Sequence, residues 1–256
     1  MKKTQLFLLA LAALGMLSCV ENAPLDSTKG ALNGKFSVAA NRQVQFSQGN
    51  LQYQPSTKTW QFAENQFDTR GIDNTKASDS YSGWIDLFGW GTGNNPAMIS
   101  MDDKQYGSYS DWGHNKISNG GNKSKLWRAL TMEEWKYLLF ERANASGLSS
   151  LATVNGVKGC IVLPDDWQMP DGLVWYGSAP RYDVNQYSLE QWAKMEKAGA
   201  LFLPAAGLRY GNNCAHGNEA GFYWSSSKDK TDATGAYGAY FDEDENITWY
   251  SYPRRF

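Results

Sequence analysis

The chain of 256 residues is 42% hydrophobic and 20% charged, long enough to bury a core and to form one large domain. Its net charge of −2 offers no basic field, which argues against nucleic acid or an anionic lipid surface as a partner. Aromatic content reaches 14%, with eleven Trp and fourteen Tyr. That enrichment fits a surface recognising sugars or proteins, and equally the filling of a core poor in long helices.

Residues 1–19 read as a targeting segment. Lys2 and Lys3 form a basic start, and Leu6 to Leu17 form an apolar run too short to span a bilayer comfortably. The run ends at Leu17-Ser18-Cys19, which resembles a bacterial lipobox whose cysteine is acylated and becomes the mature N-terminus; Met16 stands where Leu is usual. Three acyl chains on Cys19 would anchor the protein stably. Residues 20–35 read as a polar tether, and residues 36–256 as a single domain.

Short alternating strands open that domain: Gln43–Ser47 with Val44 and Phe46 on one face, Asn50–Gln54 with Leu51 and Tyr53, and Thr59–Ala63 with Trp60 and Phe62. The long Gly/Asn/Asp/Ser-rich stretch Gly71 to Ser124 is expected to be ordered, pinned by Tyr81, Trp84, Phe88, Trp90, Tyr106, Tyr109 and Trp112. Thr131 followed by Glu134 is a capping box. Met132, Trp135, Leu138, Leu139 and Arg142 then continue at helical spacing towards Gly147. Asn155-Gly156 predicts a hairpin between Ala152–Val154 and Val157–Leu163. A second helix starts at Ser188, lines Leu189, Trp192 and Met195 along one face, and stops at Gly199. Buried positions are expected at Trp135, Leu139 and Trp192.

From Leu201 the chain reads as a buried strand stopped by Pro204, a displayed loop Tyr210 to Glu219, and an aromatic strand Gly221 to Trp224. Gly235–Asp242 and Asn246–Tyr252 alternate as two more strands, joined through Asp242-Glu243-Asp244-Glu245. Two helices, many short strands and long ordered loops in mixed order make an α+β fold.

The segments LWRALTMEEWKYLL, GVKGCIVLPDDW, GALFLPAAGLRYG and GFYWSSS resemble Bacteroidetes surface lipoproteins of C-type-lectin-like fold, over roughly residues 36–256. That group is related to formylglycine-generating-enzyme-like domains. It is also similar to the variable proteins of diversity-generating retroelements and to the major-paralogous-domain proteins of Fibrobacter. Such chains commonly run on past an Arg-Arg-aromatic element, here Arg254-Arg255-Phe256, into one further strand. The resemblance implies an outer-membrane lipoprotein on the cell surface or periplasmic face, attached to the membrane through its lipid alone. It further implies that the C-terminal strands and loop carry the ligand contacts.

An enzymatic reading fares poorly. Formylglycine-generating enzymes use an active-site cysteine pair, but Cys160 lies in the apolar run GCIVL and Cys214 in the displayed loop, neither at the family's position. The related iron-dependent sulfoxide synthases need a histidine-rich site, whereas this chain has only His114 and His216. Whether Cys160 and Cys214 pair is open on sequence. Asp165-Asp166 look like turn residues rather than an acid–base pair. The acidic run after Asp242 reads as a solvated hairpin tip, and Met169-Pro170-Asp171 only echoes a lectin calcium motif. Gly89-Trp90-Gly91-Thr92-Gly93 lacks the Lys of a phosphate loop. No cofactor or metal is expected.

What remains is a non-catalytic module recognising a protein or glycan, with a structural or adhesive envelope component as the alternative and a formylglycine-generating-enzyme-like oxidoreductase third. Because Ala239 and Phe241 are apolar and strands alternate, Tyr240 is expected outward, with Tyr237 where the Gly-rich segment bends. Trp249, Tyr250 and Tyr252 are placed beside it. Tyr210, Asn212, Asn213, His216, Asn218 and Glu219 flank the patch in this reading, and Lys228 and Asp229 form its rim.

Overall fold

The computed structural model describes residues 29–256, so the targeting segment and Cys19 lie outside the described residues. Alternation of apolar and polar residues is realised first in two small hairpins. One pairs β1 (Phe36–Ala39) with β2 (Arg42–Val44), and the other pairs β3 (Leu51–Gln54) with β4 (Thr59–Phe62). The strand expected over Gln43–Ser47 is shorter and starts one residue earlier. Beyond it Ser47 makes a single bridge to Ala31, and the Leu32 N–H donates to the Phe46 carbonyl.

Helix α1 (Met132–Lys136) carries its full capping box: the Glu134 N–H donates to the Thr131 hydroxyl, and the Thr131 N–H to the Glu134 carboxylate. It then loosens into a π turn, Tyr137–Glu141, and leaves the helix at Arg142 instead of running on towards Gly147. The reason lies in the Arg142 side chain. Its guanidinium is buried, donating to Asp165 Oδ1 at 2.9 Å and to the Leu163 carbonyl at 2.8 Å, and these bonds draw the backbone off the helical path.

Next come β5 (Ser149–Val154) and β6 (Val157–Val162), joined by Asn155 and Gly156 with φ of 49° and 81°, the left-handed pair a tight hairpin needs. β7 (Gln186–Tyr187) and α2 (Leu189–Lys197) follow; α2 is capped by Ser188 with Gln191 and ended by Gly199 at φ 97°. Trp192 and Met195 point inward on α2, but Leu189 is exposed because it occupies the first turn, beyond the sheet that α2 covers. β8 (Leu201–Pro204) closes a four-stranded sheet ordered β7-β5-β6-β8.

That sheet is buried on both faces, which is why its strands read as nearly continuous apolar runs. Leu151, Cys160, Val162, Leu201 and Leu203 face one core with Trp135, Leu138 and Leu139. Ala152, Val154, Ile161 and Phe202 face another, closed by Trp192 and Met195 of α2. A third core sits beneath the long loops and gathers Tyr53, Trp60, Phe62, Ile85, Trp112 and Ile117. The stretch 71–124 is ordered around it by short 3-10 turns and buried Trp90, Tyr106 and Trp112. The fold is α+β.

The last five strands follow: β9 (Leu208–Tyr210), β10 (Asn213–Ala215), β11 (Gly221–Lys228), β12 (Gly235–Asp242) and β13 (Asn246–Pro253). The expected displayed loop is therefore itself a small hairpin, β9–β10, turning at Gly211 with φ 56°. β11, β12 and β13 form an antiparallel three-stranded sheet. Tyr223, Ala239, Phe241 and Ile247 on one face pack onto the first core. The other face turns away from it.

Candidate functional site: an aromatic face on the C-terminal sheet

Register decides which side chains share that outer face. Phe222 stands opposite Tyr240 and Thr248; Trp224 stands opposite Gly238 and Tyr250; Ala236 stands opposite Tyr252. Directly opposed residues point to the same side, so Phe222, Tyr240, Tyr250 and Tyr252 are co-facial. Gly238 puts no side chain on this face between Trp224 and Tyr250. Tyr240, Tyr250 and Tyr252 lie with centroids 5.8–6.1 Å apart, and Phe222 lies 4.9 Å from Tyr240 and 5.3 Å from Tyr252. His216 adds an exposed ring 6.3 Å from Phe222, with its Nδ1 3.4 Å from the Glu219 carboxylate. Tyr250 is exposed, while Phe222, Tyr240 and Tyr252 are half-buried.

Carboxylates order these rings. The Tyr240 hydroxyl donates to Asp242 and the Tyr250 hydroxyl to Glu245. Asp242 Oδ1 in turn accepts the N–H groups of Asp244 and Glu245 at 3.0 and 2.7 Å, which fixes the acidic turn. Burial and the Asp242 hydrogen bond raise the Tyr240 phenol, the Glu245 hydrogen bond raises Tyr250, and burial raises Tyr252. All three therefore present neutral rings at physiological pH.

Not every residue expected at this patch reaches it. Tyr237 and Trp249 stand on the opposite face, since Tyr237 shares the parity of Ala239 and Trp249 opposes Ala239 directly. Their rings pair at 6.0 Å, and Lys136 lies 5.3 Å over Trp249. No bend of the Gly-rich segment reverses Tyr237, because the β12–β13 register runs unbroken. Asp229 is buried rather than at a rim. It organises the β11–β12 turn by accepting from the Thr231 N–H and hydroxyl and from the Asp232 N–H, and the Ser251 hydroxyl with the Thr231 bonds holds its carboxyl well below the usual range.

Asn218 is tied into the scaffold: its side-chain oxygen accepts the Lys158 N–H at 2.7 Å. Asn212 and Asn213 are exposed on the β9–β10 hairpin, which packs on the turn 71–76 through Cys214. Tyr210 pairs with Phe256 at 6.2 Å, and Lys228 ends β11, exposed. The patch itself thus comprises His216, Glu219, Tyr240, Tyr250 and Tyr252 from the sequence reading. Phe222, Asp242 and Glu245 were missed; the parity shared by Phe222 and Tyr240 across β11 and β12 was the signal that could have found the first.

Phe222 and Tyr252 also wall a cavity of about 470 Å³, lined chiefly by apolar side chains including Phe46, Leu51, Phe88, Trp127 and Tyr223. Asp86 borders it, held by the Asn74 side-chain amide and the Arg70 N–H, each at 2.8 Å, and burial pushes its carboxyl up to about 6. The folded state thus holds the Asp86 proton between the ordinary carboxylate pKa and about 6, and the contribution of Asp86 to stability falls as pH rises through that window. Relative to the wild type, Asp86→Asn is expected to gain about 2 kcal/mol between pH 4 and pH 7 in urea unfolding. Parallel pH profiles for the two proteins would show that the carboxyl is not so enclosed.

Cys160 and Cys214 are both free. Complete burial pushes the Cys160 thiol up to about 12, leaving it protonated at neutral pH, and burial also raises Cys214. Asp165 is more than a turn residue: it accepts the Ser37 N–H, the Ser37 hydroxyl, the Gln43 amide and Arg142 together. Among the described residues no three His, Cys, Asp or Glu side chains gather closely enough to hold a metal ion, and no helix is long and apolar enough to cross a membrane. Comparison with protein-family models, curated proteins and solved structures finds no match to the chain.

Proposed function

We propose that the chain is a lipid-anchored, extracytoplasmic ligand-binding module of C-type-lectin-like fold, non-catalytic, recognising a protein or glycan on the outer face of its C-terminal sheet. One observation carries this reading: four aromatic rings, Phe222, Tyr240, Tyr250 and Tyr252, are gathered on one side of the sheet, Tyr250 exposed and the others half-buried, with Tyr240 and Tyr250 held by carboxylates. Aromatics scattered over a surface need no explanation, whereas a contiguous cluster marks an interaction site. Tyrosine suits the role, since it offers a large contact area with few rotatable bonds and one polar tip. The lectin-like assignment and the anchor at Cys19 are supported by the resemblance of residues 36–256 and of Leu17-Ser18-Cys19 to the surface-lipoprotein pattern.

The test is a paired glycan and peptide array probed with the detergent-solubilised full chain, wild type against Tyr240→Ser/Tyr250→Ser. The expected result is a ligand whose binding falls at least about tenfold in the double variant, the loss typical of central aromatic contacts. An array on which the wild type binds nothing, or on which both proteins bind alike, defeats the proposal. Cys19→Ala, expected to leave the membrane fraction or to accumulate as uncleaved precursor, tests the anchor separately.

A further inference from the structure

We propose that β13 receives an extended basic peptide segment, which adds a fourth strand to the β11–β12–β13 sheet. This rests on the reading of that sheet as the ligand-binding surface and assigns its ligand a chemistry. β13 pairs with β12 alone, in an unbroken register from Gly235↔Pro253 to Asp242↔Asn246. On its other side, the backbone N–H and C=O groups of residues 248–252 have no backbone partner among the described residues, whereas Asn246 and Ile247 lie against Phe140 and Ser149. Trp249, Tyr250 and Ser251 are exposed in succession, so both faces of β13 are accessible there.

Folded proteins normally blunt such an edge with lysine, proline, a bulge or shortness. Residues 248–252, Thr-Trp-Tyr-Ser-Tyr, carry no lysine, proline or bulge, and the one proline of β13, Pro253, stands at its very end. A regular edge left open over residues 248–252 is a template for strand addition.

Charge selects the occupant. The turn leading into β13 is Asp242-Glu243-Asp244-Glu245, and Glu243 has Lys158 at 3.7 Å. Asp242, Asp244 and Glu245 have no Lys or Arg within ion-pair reach among the described residues. Two of these carboxylates accept the hydroxyls of Tyr240 and Tyr250, which makes the rings richer in electrons and better partners for a cation. An added strand would lie about 4.8 Å from β13, with alternate side chains over the tyrosine face. Lysine or arginine at those alternate positions meets ring faces and acids together. A neutral glycan would use neither the open backbone nor the charge.

The experiment is fluorescence anisotropy of labelled (Lys-Gly)4 with the full chain. Two control peptides accompany it, one acetylated on every lysine and one N-methylated at alternate backbone nitrogens. Both controls are expected to bind at least about tenfold more weakly, the first through lost charge and cation–π contact and the second through lost pairing. Tyr250→Leu is expected to weaken the parent peptide by about tenfold while Tyr250→Phe keeps most of the affinity, both at an unchanged melting temperature because Tyr250 is exposed. Glu245→Gln should weaken it without altering the fold. Equal binding of the acetylated peptide, undiminished binding of the N-methylated one, or indifference to Tyr250→Leu would each overturn the proposal. If no peptide binds while a neutral ligand binds in a Tyr240-dependent way, this inference falls and the function proposed above stands. If nothing binds, both fall.

Discussion

Asp165→Ala is expected to lower the stability of the protein by about 3–5 kcal/mol in urea unfolding at pH 7. The arginine facing Asp165 is the reason. Arg142 has a side chain only 2% exposed, and Asp165 is its sole ion-pair partner among the described residues. Burial draws the Arg142 pKa down, yet a guanidinium does not lose its proton at any relevant pH, so removing Asp165 strands a buried cation. The same change releases Ser37 and Gln43, which hold the β1–β2 hairpin against the core. The reverse substitution is milder. Arg142→Met keeps the packed stem and leaves Asp165, a quarter exposed, with three neutral donors. It should cost distinctly less, and the double variant should recover part of the Asp165→Ala loss. Equal losses in the two single variants would show that the buried cation is not what makes Asp165 matter. Burial alone would raise the Asp165 carboxyl, but Ser37, Gln43 and Arg142 outweigh it and hold its pKa below the usual range. Its contribution is accordingly complete above the ordinary carboxylate pKa and lost as pH falls through the depressed value.

Trp192→Ala is expected to cost an independent loss of about 3–5 kcal/mol, through the cavity it leaves in the core beneath α2. Trp192 is 2% exposed and packs on Phe202 with ring centroids 5.6 Å apart. Its indole N–H has no acceptor among the described residues, so a buried donor already goes unpaired. Trp192→Phe removes that donor and only part of the volume, and should retain most of the stability. A melting temperature that drops equally for Phe and Ala would mean that a six-membered ring fills this site no better than a methyl group, and that only the full indole shape packs the core.

Elements whose signals are local were legible in the sequence. Both capping boxes, the Asn155-Gly156 turn and the two long C-terminal strands depend on neighbours within a few residues, and their bounds fall within a residue or two of those read. The end of α1 was not legible, because Arg142 leaves the helix for Asp165, 23 residues away. Nor was the β9–β10 hairpin: its strands are three residues each, too short for a period to show. At the candidate site, period two correctly put Tyr240 outward with Tyr250 and Tyr252. Tyr237 was misplaced by allowing the glycines to bend the strand, which the unbroken pairing with β13 forbids, and Trp249 by grouping it with Tyr250 and Tyr252 without regard to its opposite parity. Phe222 was hidden because its place on the face depends on a register between strands about 20 residues apart.

Burial of the β5–β6–β8 sheet on both faces has a practical consequence for the outer face of β11–β13. The residues that hold the chain folded and those that meet solvent on that face are almost disjoint sets. Tyr240, Thr248 and Tyr250 can therefore be exchanged as a block with little demand on the scaffold, whereas Phe222 and Tyr252 also wall the cavity and are better kept. A combinatorial library confined to those three codons should yield mostly expressible protein. Selection for new specificities could then proceed without a compensating round of repair elsewhere in the chain.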